Sequence, residues 1–274
     1  MRFIRSTAAS LKHTVLASTA VALALAVGGA AAHAAPTDVT FDPGVFAPGT
    51  ASFTADKLNL LNFARVDVGT TSGGLTRFNE FGYLQVNNAS LDNATFNPEG
   101  NRTDYSLYVA FAGTGVQSAP NFTGGSQGRF DTLTYTLIGA TGPVSFGIGE
   151  DNSPYATTTG TSTTLATGSL ISGTTTFSTA PLGAGANIDA TFIEALAGFI
   201  TSPTSATLTI AGAFNNNSNI VSVLNGGTAF TLNGGGGDLT FGTETTPIPE
   251  PATVALLGAG LIGLGVIGRR RPSA

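Results

Sequence analysis

Among the residues able to do chemistry, the scarce ones are the most telling. The 274-residue chain has no Cys and no Trp, one Met and two His. These three are Met1, His13 and His33, all inside an N-terminal stretch that reads as a leader. The part left after the leader has no imidazole, thiol or thioether. That excludes Ser-His-Asp and Cys-His catalysis, His- or Cys-ligated zinc, haem ligation and thiol redox chemistry. Carboxylates, hydroxyls and backbone groups remain. Glu150-Asp151-Asn152 is the densest group of oxygen ligands and the one calcium candidate, although it lacks EF-hand spacing and runs into Ser153-Pro154, which fits a simple turn better. A glycosidase would need two of the sixteen Asp and Glu at a fixed separation in space, which a sequence does not display. The polar aromatics for sugar stacking are Tyr83, Tyr105, Tyr108, Tyr135 and Tyr155. On these grounds the chain is expected to be no enzyme and to need no cofactor beyond that calcium reading.

The ends of the chain read as addresses. Residues 1–12 carry Arg2, Arg5 and Lys12 without an acid, and residues 15–32 are dominated by Ala, Val and Leu. Ala32-His33-Ala34 is the small-x-small pattern of a signal peptidase site, so residues 1–34 are expected to be a cleaved signal peptide and the chain to be exported. An uncleaved membrane helix is the alternative, disfavoured by Gly28-Gly29 and the Ala-rich end.

A second apolar run covers residues 252–268 and is followed at once by Arg269-Arg270-Arg271. At ~1.5 Å per residue it spans ~25 Å, the short limit for a bilayer core. The Arg cluster would hold the C-terminus on the cytoplasmic side and place everything earlier outside that membrane. Pro247-Ile248-Pro249-Glu250-Pro251 stands just before it and presents an extended peptide. Gly258-Ala259-Gly260-Leu261-Ile262-Gly263 matches the dinucleotide-binding glycine pattern, but no strand precedes it and the chain ends before the required acid. The order Pro249-Glu250-Pro251, apolar helix, Arg269–Arg271 resembles the PEP-CTERM sorting signal, assigned here to residues 247–274. The resemblance implies recognition by an exosortase, a membrane transpeptidase-like enzyme that cuts near the triplet. Like a GPI signal, such a tail is an address that is later removed, and the membrane contact through it is transient. A plain C-terminal anchor is the alternative.

The middle, residues 35–246, reads as one exported β-rich domain. Only Lys57, Arg65, Arg77, Arg102 and Arg129 remain basic outside the leader and the Arg cluster, against sixteen acids, a balance of about −11. Nucleic acid is a poor partner for such a chain; cations and polysaccharide are better ones. Period-two alternation with Thr on one face marks strands at residues 132–137, 207–210, 230–232 and 239–241, the last two expected to pair as a hairpin around Asn233-Gly234-Gly235-Gly236-Gly237-Asp238. Residues 105–111 are continuously apolar and suit a strand buried on both faces. Residues 191–200 fit either a short capped helix or a buried strand. In residues 157–179, 11 Thr and 4 Ser fill 15 of 23 positions, which fits either a mobile, O-glycosylated stretch or Thr-rich strands. The expected fold is all-β, an antiparallel β-sandwich of jelly-roll type.

Four short segments of this domain resemble the flocculation-associated PEP-CTERM proteins of the PepA family: Phe53-Thr54-Ala55-Asp56-Lys57, Tyr105-Ser106-Leu107-Tyr108 with Gly113-Thr114-Gly115, Glu150-Asp151-Asn152, and Gly237-Asp238-Leu239-Thr240-Phe241-Gly242. The resemblance implies a surface or matrix protein that aids cell aggregation with extracellular polysaccharide. The alternatives are a secreted carboxylate glycosidase and a calcium-dependent carbohydrate-binding module.

Overall fold

The computed structural model describes residues 36–243 except 99, 102, 119–125, 180–181, 204–207, 217–218 and 225–228. The signal peptide, its cleavage residues Ala32 and Ala34, the triplet Pro249-Glu250-Pro251, the apolar run and Arg269–Arg271 lie outside the described residues. Among the described residues no helix is long and apolar enough to cross a membrane.

Long alternating segments make long strands. In chain order these are β1 (Val39–Phe41), β2 (Phe53–Ala55), β3 (Lys57–Ser72), β4 (Leu75–Leu91), β5 (Ala94–Phe96), β6 (Tyr105–Ser118), β7 (Ser126–Thr141) and β8 (Val144–Ile148). They continue as β9 (Pro154–Thr158), β10 (Ser162–Thr179), β11 (Leu182–Glu194), β12 (Ile200–Ser202), β13 (Leu208–Asn215), β14 (Ile220–Leu224) and β15 (Ala229–Thr243). A single turn of 3-10 helix, Pro43–Val45, is capped by Asp42, whose Oδ1 accepts from the Gly44 N–H at 2.8 Å.

Eight of these strands form one closed barrel rather than the two packed layers of a sandwich. Their order is β3-β4-β6-β7-β10-β11-β13-β15, every pair antiparallel, and β15 returns to pair with β3. The barrel is an up-and-down meander in which each strand neighbours the next. Closure is the reason the sandwich expectation gives way: β15 finds β13 on one edge and β3 on the other, so no edge is left for a second sheet to face. Seven of the eight strands run 13–18 residues, far longer than the usual five or six, while β13 has 8, and bulges at Asn59/Leu60, Thr114/Gly115, Leu170/Ser172 and Asn233/Gly235 bend them around the axis.

The alternation now has a direction. Leu133, Tyr135 and Leu137 point into the barrel while Thr132 and Thr134 point out. The inner wall is apolar and the outer wall is rich in Thr, the arrangement of a barrel surrounded by water rather than by lipid. Small and large inward residues alternate across neighbouring strands. A Cβ on Gly115 would lie 2.4 Å from the Phe78 ring, and one on Gly237 would lie 2.4 Å from Phe214, so these glycines make room for rings.

Three expectations are settled by this geometry. Residues 230–232 and 239–241 are two parts of the single strand β15 and do not pair with each other. The glycine run between them stays within the strand, with a bulge at Gly234 (φ 77), because β3 flanks it along one edge and β13 takes up its second half along the other. Residues 191–200 are strand as far as Glu194, followed by a turn into β12, with Phe192 and Phe199 buried. Residues 162–179 form strand β10, with Leu165 and Phe177 turned inward.

Two small sheets dress the barrel. The three-stranded sheet β12-β1-β2 closes one end, where Phe41 meets Phe53, Phe199 and Phe241 at ring separations of 5.2, 5.4 and 5.3 Å. The β8–β9 hairpin lies against the outer wall, where Phe146 stacks on Phe63 at 5.6 Å and meets the Tyr108 ring edge-on. This cover is why Tyr105–Val109 is buried on both faces.

Candidate functional site

The calcium candidate occupies the tight turn between β8 and β9. Asp151 Oδ1 accepts from the Ser153 N–H at 3.0 Å, and the Gly149 N–H donates to the Ser153 carbonyl at 2.9 Å. The Ser153 amide hydrogen bond holds the Asp151 carboxyl below the ordinary carboxylate range. Asn152 takes φ 62 and accepts from Ser222 Oγ at 3.3 Å. Asp151 Oδ1 is thus engaged in building the turn, Glu150 is exposed, and no group of three or more His, Cys, Asp or Glu able to hold a metal occurs among the described residues. Of the five Tyr, Tyr105 and Tyr135 are buried inside the barrel, and Tyr155 is exposed. The Tyr135 hydroxyl donates to the Thr191 carbonyl.

Two polar features that the sequence reading did not single out come from the barrel itself. The first is a row on the outer wall. Cross-strand register sets Thr134 beside Ser169 on β7 and β10, and Thr191 beside Thr209 on β11 and β13. Ser169 joins the two pairs, its N–H donating to Thr191 Oγ1 at 3.0 Å. Thr114 and Thr132 add a further hydroxyl pair at 2.8 Å. Four adjacent strands at ~4.8 Å spacing carry this row across ~14 Å of wall.

The second feature is a cavity of about 50 Å³ inside the barrel. It lies where two apolar clusters meet, with Phe111 and Phe214 packed against both. Most of its lining is apolar, including Phe130, Leu133, Ile188 and Leu239, but three polar side chains face it: Asn62, Glu80 and Asn216. Asn62 is only 3% exposed; its Nδ2 is 3.5 Å from Asn216 Oδ1, and its Oδ1 has no hydrogen-bond partner. Glu80 makes no hydrogen bond or ion pair among the described residues. Burial alone pushes its carboxyl up to about 7. The side chain is still half-buried by surface area because that area faces the cavity. The alternation Thr76, Phe78, Glu80, Gly82, Leu84, Val86 places Glu80 on the apolar face of β4, a signal legible in the sequence.

A glycine makes room for Asn216. A Cβ on Gly235 would fall 1.7 Å from Asn216 Oδ1 and 2.7 Å from its Cγ, so Gly235→Ala must displace that side chain. The substitution is expected to lower the unfolding free energy by about 1–3 kcal/mol, measured by urea titration with an unchanged slope.

Residues 247–271 match the PEP-CTERM protein-sorting motif. This motif implies an exported protein, transiently anchored in a membrane and processed by an exosortase. No curated protein and no solved structure matches the chain.

Proposed function

We propose that the chain delivers a non-catalytic β-barrel to the cell surface or extracellular matrix, where it aids aggregation or biofilm formation by holding exopolysaccharide. The observation that carries the reading is the hydroxyl row across β7, β10, β11 and β13, in a chain that also carries a sorting signal. Hydroxyls both donate and accept, so a row of them along the barrel wall matches the repeating hydroxyls of a glycan chain. Each contact is weak; repetition along a polymer and across many copies supplies the strength. The resemblance to the PepA family supports the same role. The inner site favours a glycosidase less, because Glu80 is the only Asp or Glu among the described residues lining the cavity and such chemistry uses two.

Cells lacking the protein are expected to sediment several-fold more slowly. A variant with Thr134, Ser169, Thr191 and Thr209 all changed to Ala should reproduce most of that loss while being secreted at the same level. Unchanged aggregation and unchanged polysaccharide retention on deletion would overturn the reading. Mass spectrometry of the surface-bound protein should find a C-terminus near Glu250, and an intact Arg269–Arg271 tail there would exclude processing.

A further inference from the structure

The barrel interior holds an unpaired acid with no counter-ion of its own. The basic residues described on the barrel strands all lie on the outward phase: Lys57 is 3.8 Å from Asp238, Arg65 is 2.8 Å from Asp67, Arg129 is 3.1 Å from Asp131, and Arg77 is exposed. Facing Glu80 across register are Val66 on β3 and Gly113 on β6, neither of which can donate a side-chain hydrogen bond. The only other titratable group lining the cavity is Tyr135, whose hydroxyl is already spent on Thr191. Asn62 Oδ1 is a second acceptor without a donor. Buried acceptors left bare in this way are costly unless a partner arrives from outside the protein.

We infer that the cavity binds a small aliphatic amine in its ammonium form, with the charged head at Glu80 and the carbon chain against the apolar wall. An ammonium group brings the missing positive charge and up to three donors to the Glu80 carboxylate. Phe111, Phe130 and Phe214 supply aromatic surface that favours a cation over an anion. Glu80 and Asn62 are not register neighbours. Asn62 pairs with Leu84, four residues along β4 from Glu80, with Ala64 and Gly82 as the one inward-facing pair between them. The charged head therefore belongs to Glu80 alone, and the carbon chain lies on the apolar lining beside it. A volume of about 50 Å³ admits only a few heavy atoms.

The test uses the full-length chain and n-alkylammonium chlorides from methyl to butyl, with the isosteric alcohols, alkylcarboxylates and sodium chloride as controls, read by calorimetry and by the thermal midpoint. One short alkylammonium should bind and raise the midpoint by several degrees, at least tenfold more tightly than its alcohol, while the carboxylate has no effect. Binding should weaken about tenfold per pH unit once the pH falls below about 7, where Glu80 takes up its own proton. Glu80→Gln keeps the shape, removes the charge and should abolish the preference for ammonium over alcohol. Equal affinity for ammonium and alcohol in the unaltered protein, ammonium binding unaffected by Glu80→Gln, or no binding at all would overturn the inference. The ammonium-to-alcohol comparison needs no variant and stands even if Glu80→Gln folds poorly.

Discussion

Glu80→Gln is expected to raise the unfolding free energy at pH 8.5 by about 2–3 kcal/mol and to leave it nearly unchanged at pH 4. The sign follows from where the proton sits. Below pH 4.5 the carboxyl is protonated in both folded and unfolded chains, and its burial is tolerated. Between 4.5 and about 7 the folded protein keeps the proton while the unfolded chain has released it, so stability falls as pH rises. Above about 7 both are ionised, and the folded state bears the full desolvation of an unpaired carboxylate. Gln removes that charge at every pH, so the difference between the two proteins isolates this one group from the other carboxylates. Paired urea titrations at pH 4, 6 and 8.5 measure it. A difference that stays flat across this range would mean that water or a donor already reaches Glu80 in the folded barrel.

Phe41→Ala is expected to lower stability by about 3–5 kcal/mol, the range for removing a fully buried aromatic ring. Phe41 is 1% exposed and touches rings from three separate segments: Phe53 on β2, Phe199 before β12 and Phe241 on β15. The void would open where the three-stranded sheet meets the barrel, so amide hydrogen exchange in β1 and β2 should accelerate before exchange in β6 and β7. Val45, 40% exposed on the adjoining 3-10 turn, is the control: Val45→Ala should change stability by no more than about 0.5 kcal/mol.

The all-β class and many of the strands are legible in the sequence, because alternation such as Thr132-Leu133-Thr134-Tyr135 depends only on neighbours. The architecture is not. A sandwich and a closed barrel ask for the same alternation, and what distinguishes them is the register of Lys57 against Thr240 and of Leu208 against Thr243, pairings across long stretches of chain. The glycine run at 234–237 misled for a related reason. Locally it reads as a turn, yet flanking strands keep it in β15 with only a bulge at Gly234, and its missing side chains accommodate Asn216 and Phe214. With His, Cys, Met and Trp so scarce, carboxylates carry the chemistry, and Glu150-Asp151-Asn152 is their densest group. Asp151 Oδ1 helps to build its own turn, whereas the isolated Glu80 faces the cavity. A lone acid on the apolar phase of a strand is the more informative signal.

The position of β15 has a mechanical consequence. A load applied at its C-terminal end would pull the strand along its own axis, between β3 on one side and β13 and β14 on the other. Hydrogen bonds that lie across the pulling direction are loaded together, in shear, rather than opened one after another as in a zipper. Two ladders would have to slip at once before the barrel could yield. Antiparallel closure by the last strand therefore puts the end that leads into the sorting signal under shear on both sides, where a pull meets the two ladders together.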